Sequence, residues 1–248
     1  MGGPRTAAAR AISAWAAGEV ALADHHQCLA LHSAQWAALA DAARRLSAGD
    51  DGSAVFYAWR DIDLWTTINH LLLMDCREAL GREASPSAGV IDSQSVKSTE
   101  SGGPCGYDAG KKIKGRKRHI LTDTGGLLVT GLVHTADIQD RDGAPDLLAQ
   151  IRTRFPWLRH VFADGGYAGD KLREALVGRG AWVIEIIKRS DTAKGFVLLP
   201  RRWVVERTFA WLGRNRRLAK DFEATIESST AWLFMASVQL MTRRLANP

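Results

Sequence analysis

Residues 89–96 read GVIDSQSV. Val90 and Ile91 are β-branched, and the segment is bounded upstream by Ser85-Pro86-Ser87, so a strand is expected here with Asp92 inside it. A carboxylate in such a strand is costly to bury unless it is paired or holds a cation. The next informative stretch is Val161-Phe162-Ala163-Asp164-Gly165-Gly166. It repeats the arrangement, an apolar strand ending on an Asp, now followed by two glycines that let a backbone or a phosphate come close. A third carboxylate, Glu206, lies in Trp203-Val204-Val205-Glu206-Arg207, a helix-like run. On a helix Glu206 shares a face with Arg202, Ala210 and Gly213 at steps of three and four, and the two small neighbours leave room beside it.

Working outward from Gly89–Val96, a polar Gly/Pro loop (Ser98–Gly110) precedes strands at Arg118–Asp123 and Leu127–His134, which flank the turn Thr124-Gly125-Gly126. A helix is expected over Asp140–Arg154, ended by Pro156. Then come a strand at His160–Ala163, a helix at Asp170–Val177, a strand at Trp182–Ile187, and helices at Arg201–Leu218 and Ser229–Leu245. Three strands on short links, followed by alternating helices and strands, give an α/β domain whose mixed sheet is flanked by helices. That element order is RNase H-like. Ligands in such folds gather where parallel strands end.

Upstream, Val55-Phe56, Trp59, Ile62, Trp65, Ile68, Leu71-Leu72 and Cys76 recur at helical steps, so residues 55–80 read as helix. Residues 1–54 hold 18 Ala, which favours helix, with an untidy candidate over Gln27–Leu46. The expected organisation is a poorly defined, Ala-rich, smaller helical N-terminal region (1–54), a helical linker region (55–88) and the RNase H-like domain (89–248).

A net charge of +6 suits a polyanionic partner, and its distribution says more. Lys111–His119 reads KKIKGRKRH with no acid among its cations. A solvated strand edge, a phosphate-contacting ribbon and a targeting signal all fit it; the ribbon is favoured because nothing acidic interrupts the run. DNA contacts are therefore expected from Lys111, Lys112, Lys114, Arg116, Lys117 and Arg118, and from Arg207, Arg214 and Arg217 beyond Glu206. Trp203 and Trp211 read as core residues or as stacking surfaces for an unpaired base. Asp137, Asp140 and Asp142 read first as helix-capping residues, with auxiliary metal contact as the lesser alternative. His119, His134 and His160 lack zinc spacing and read as core or surface residues, and Asp108 and Asp123 as loop and turn residues. Cys28, Cys76 and Cys105 make neither a zinc pattern nor an even disulfide set, which fits a reducing cytoplasm. No run suits a membrane span.

The segments SPSAGVIDSQSVKS (85–98), GGPCGYDAGKKIKGRKRHILTDTGGLL (102–128), HTADIQDRDGA (134–144), FADGGYAGDKL (162–172) and LPRRWVVERTFAWLGRNRRLAKDFE (199–223) resemble the catalytic half of bacterial insertion-sequence transposases of the IS5 family, DDE enzymes related to the IS4 group. The resemblance implies that Asp92, Asp164 and Glu206 are the catalytic triad, binding Mg²⁺ or Mn²⁺. It implies terminal inverted repeats and a target DNA as substrates, a homodimer on DNA, and a nucleoid-associated place in the bacterial cytoplasm. Water would attack the transposon-end phosphodiester, and the freed 3′-hydroxyl would then attack the target strand. Arg202 matches the family's Arg before its glutamate. The basic residue expected seven places after the glutamate is replaced by Gly213, and Lys220 is the candidate for a related phosphate role. Residues 1–54 depart from the family's helix-turn-helix pattern beyond LHSAQWAAL (31–39), so end recognition is expected to be impaired or supplied in trans. The alternatives are an inactive or truncated DNA-binding remnant, or an RNase H-like nuclease that cuts without strand transfer.

Overall fold

The computed structural model describes residues 52–152, 154–187 and 200–246; the readings made for residues 1–51 lie outside them. Two helices come first, α1 (Gly52–Asp61) and α2 (Leu64–Ala79). The periodicity suggests a single helix, but Asp63 adopts a left-handed backbone (φ 53°) and breaks it. Asp tolerates that conformation better than most residues, and here its carboxylate accepts the Thr66 hydroxyl at 2.6 Å.

The sheet is built from β1 (Ala88–Lys97), β2 (Gly106–Asp108), β3 (Ile113–Asp123), β4 (Leu128–Thr135), β5 (His160–Ala163) and β6 (Val183–Ile186). Its spatial order is β4-β3-β1-β5-β6, with the short β2 on the same edge of β3 as β4. β3 runs antiparallel to both of its long neighbours, β1 and β4, whereas β5 runs parallel to β1 and β6 parallel to β5. This is the mixed sheet expected from the element order, with RNase H-like strand directions. At the β3–β4 turn, Asp123 Oδ1 accepts the amides of Gly125 and Leu127. Gly126 takes a φ of +87°, open to glycine at little cost.

Successive residues of a strand face opposite sides of the sheet, and both sides of β1 are covered. Ile91 packs with Leu64, Leu71 and Leu73 of α2 and with Leu147 and Leu148 of α3 (Asp140–Ile151). Val90 packs with Val205 and Phe209 of α5 (Pro200–Leu212) and with Leu233 and Phe234 of α6 (Ile226–Ala246). The segment read as a linker therefore supplies, through α2, part of the same core as the sheet. The short helix α4 (Asp170–Leu176) adds Leu172 and Leu176 to the α3 side.

Three boundaries differ from expectation. β3 begins at Ile113, so most of the basic run lies inside a central strand. The loop after β1 contains β2, which pairs Tyr107 with Lys114. The helix expected to reach Leu218 stops at Leu212; after Gly213, Asn215 caps a separate 3₁₀ turn (Arg216–Leu218) by accepting the Arg217 amide.

Candidate active site

The parallel register of β1 and β5 sets the site. Val90 and Phe162 are the last pair of the ladder; two residues further along each chain stand Asp92 and Asp164, which alternation turns to the same face. Asp164 lies one residue past β5 but keeps an extended backbone (φ −85°, ψ −179°), so it continues the alternation. Its Oδ1 accepts the Gly166 amide at 2.8 Å, which opens the 3₁₀ turn Gly165–Tyr167. That face of β1 is the one α5 packs on, and α5 carries Glu206. Arg202, one turn earlier, places Nη2 3.6 Å from Asp164 Oδ2 and 3.5 Å from Glu206 Oε1. The carboxylates of Asp164 and Glu206 thus face a common cationic nitrogen.

Asp92 Oδ1 accepts its neighbour's amide, Ser93 N, at 2.7 Å. Burial pushes the Asp92 carboxyl up to about 7; the Ser93 bond opposes this, Asp164 adds to it, Lys111 opposes and Asp140 adds. Folded Asp92 therefore holds its proton more tightly than the unfolded chain does. Its contribution to stability is greatest below about 4 and is lost as pH rises towards about 7. His119, held down to about 3 by burial and then by His134, acts in the opposite sense, as does His134. Their contribution falls as pH drops below the ordinary histidine range. Comparing Asp92→Asn with the wild type cancels the histidines. In EDTA, urea denaturation should find the variant more stable, by a margin that grows between pH 4 and 7 to about 2–4 kcal/mol and then levels. A pH-independent margin would show that the Asp92 carboxyl is not held protonated.

On the other side of β1, Ser93 Oγ donates to Asp140 Oδ1 at 2.7 Å, and Lys117 Nζ donates to the same oxygen at 2.8 Å. Asp140 was expected to cap its helix. It is instead the first residue of α3, after the cap position Gln139, and its carboxylate is bonded across to the sheet. Asp142 pairs with Lys171. Nothing local signals the Asp140 contact, which spans 47 residues. His119 and His134 are core residues; the Tyr167 hydroxyl meets His119 Nε2 at 2.7 Å. A Cβ on Gly143 would stand 2.7 Å from His119 and 2.8 Å from His134, so only glycine fits there without displacing a ring. His160 pairs with Glu185 at the surface.

The basic ribbon requires correction. Arg116, Lys117 and Arg118 are 0, 4 and 2% exposed and cannot offer their charge to a phosphate. Arg116 holds Asp221 and four carbonyls between Pro104 and Thr225. Lys117 holds Ile138 O and Asp140, and Arg118 holds Leu218 O and Lys220 O. Lys111, Lys112 and Lys114 are exposed, with Lys111 Nζ 3.1 Å from Ser93 O. Arg207 lies between the rings of Trp203 and Trp211, 4.5 Å from each centroid, and bonds Gly125 O. Arg217 pairs with Glu223 at 2.6 Å. Arg214 and Lys220 are exposed.

Residues 83–241 match the family described as "Transposase DDE domain". Over 126 residues the chain is 34% identical to a Burkholderia cepacia protein described as a transposase for insertion sequence element IS402. That alignment covers 48% of this chain and 59% of the relative, so the chain spans about three-fifths of the relative's length.

Proposed function

The chain belongs to the transposase DDE domain family, and from that premise we propose that it is a metal-dependent DNA transposase of an insertion sequence. In this reading Asp92, Asp164 and Glu206 form the catalytic, metal-holding triad. The observation that supports it is that Arg202 Nη2 lies 3.6 Å from Asp164 and 3.5 Å from Glu206, while Asp92 and Asp164 follow, at the same offset, the last pair of the β1–β5 ladder.

Whether these residues suit a divalent cation can be tested on their chemistry. Carboxylate oxygens are the hard donors that Mg²⁺ and Mn²⁺ prefer. Burial raises the Asp92 carboxyl first, and the nearby charges of Asp164 and Asp140 add to it. As they rest, no three His, Cys, Asp or Glu side chains among the described residues are drawn together closely enough to share an ion, and Arg202 lies between two of them. The donor set fits, with Arg202 as the group that must yield. When bound, the cation would supply an activated attacking oxygen and charge neutralisation at the scissile phosphate.

The chain's own residues supply the rest. Arg202, half-buried and flexible enough to leave its two long ion pairs, can donate to a phosphate oxygen beside Asp164. Gly165 has no atom near a built Cβ, which leaves open space for a DNA backbone. Lys111 brings an ammonium within range of both Asp92 and Asp140. Exposed Lys112, Lys114, Arg214 and Lys220 are the candidates for tracking the strand. The substrates would be the element's terminal inverted repeats and a target DNA. Two copies of the chain would hold two ends, in the bacterial cytoplasm where nucleoid DNA is accessible. Among the described residues no helix is long and apolar enough to cross a membrane.

The test is a donor plasmid carrying the DNA that brackets the gene, incubated with the protein, Mn²⁺ and a target plasmid. Joined donor–target products are the expected result; nicks alone would indicate a nuclease, and no cleavage a remnant. Lys112→Ala/Lys114→Ala should lower the steepness of log affinity against log salt by about 0.9 for each lost phosphate contact, read by fluorescence anisotropy. An unchanged slope would remove the two lysines from the interface.

A further inference from the structure

Asp140 stands apart from the triad in sequence and on the opposite side of β1, yet it borders the same space. Its Oδ1 is fixed by Ser93 and Lys117, so the orientation of the carboxylate is set. Its Oδ2 has no hydrogen-bond partner among the described residues. A Cβ built on Gly166 would stand 3.6 Å from that oxygen and 3.0 Å from Asp164 Oδ1. Asp164 Oδ1 is held there by the Gly166 amide, and Asp140 Oδ2 borders the same space, which a side chain at position 166 would fill. Lys117 does not need Asp140 alone as its counter-charge, because Asp108 Oδ2 lies 3.6 Å away and Ile138 O accepts from it at 2.7 Å.

We infer that Asp140 is a fourth carboxylate of the cation site, a positioning residue that adds negative charge beside Asp92 and Asp164. The inference rests on the metal-dependent reading above and extends it to a residue outside the triad. Charge at this depth strengthens the hold on a divalent ion without requiring Asp140 to touch the DNA.

Isothermal titration of the full chain with Mn²⁺, without DNA, tests this. Asp140→Asn keeps the shape and should weaken Mn²⁺ binding about 10- to 100-fold. Ser93→Ala removes one anchor of Oδ1 but leaves the charge, and should retain the wild-type affinity. If D140N loses cooperative melting, the double variant K117M/D140N, which also removes the stranded ammonium, takes its place with the same expected loss. Wild-type affinity in D140N, or an equal weakening in D140N and S93A, would overturn the inference while leaving the triad reading intact. Mn²⁺ binding that is absent from the wild type, or unchanged in Asp92→Asn, would bring down the triad reading and this inference with it.

Discussion

Asp164→Asn is expected to reduce DNA cleavage and joining about a thousandfold, equivalent to about 4 kcal/mol of transition-state stabilisation, while leaving the fold intact. The substitution is nearly isosteric. The Asn side-chain oxygen can still accept the Gly166 amide that Asp164 Oδ1 holds at 2.8 Å, so the 3₁₀ turn and the end of β5 should persist. What disappears is a negative charge beside Asp92 and opposite Arg202. Quantifying products from the donor plasmid in Mn²⁺, alongside a thermal melt, separates chemistry from folding. Turnover equal to the wild type would remove Asp164 from the catalytic site, whatever its position.

Arg116→Ala should act on stability instead, by about 3–5 kcal/mol, the range for breaking a buried ion pair from one side. Arg116 and Asp221 are both fully buried, 3.0 Å apart. The guanidinium also takes up the carbonyls of Pro104, Glu223, Ala224 and Thr225. Without it the Asp221 charge is left uncompensated in the interior and the buried carbonyl of Glu223 loses its donor. Asp221 in turn ties the chain between α5 and α6 to the end of β1, through Asp221 N to Lys97 O and Thr99 N to Asp221 O. Losing Arg116 loosens the connection that holds the Glu206 helix against the sheet. Lysine should not rescue it, because an ammonium cannot reproduce the planar fork of donors. Urea denaturation followed by circular dichroism gives the value. A loss below about 1 kcal/mol combined with weaker DNA binding would restore Arg116 to the interface.

The elements that position Asp92 and Asp164 are legible in the sequence because their signals are local. Val90-Ile91 and Val161-Phe162 are strand-forming pairs, Thr124-Gly125-Gly126 is a turn by composition, and Pro156 closes the helix before β5. A mixed sheet follows from the order of elements, whereas the register of β1 against β5, Val90 opposite Phe162, appears only in the structure. The basic ribbon misleads for the converse reason. A run of cations looks solvated until its partners are known, and those of Arg116 and Arg118 lie about a hundred residues downstream, mostly as backbone carbonyls that no side-chain pattern announces. Asp140 is hidden in the same way, since its ties to Ser93 and Lys117 exist only once α3 lies against the sheet. The break at Asp63 depends on a left-handed residue inside an apolar periodicity that continues across it.

The central claim is that Asp92, Asp164 and Glu206 converge to hold a divalent ion. Anomalous diffraction from crystals grown with Mn²⁺ addresses it directly. The expected result is manganese density beside the carboxylates of Asp92, Asp164 and Glu206, with Arg202 displaced from its contacts with Asp164 and Glu206. Manganese bound elsewhere, with Arg202 still seated between Asp164 and Glu206, would contradict the account.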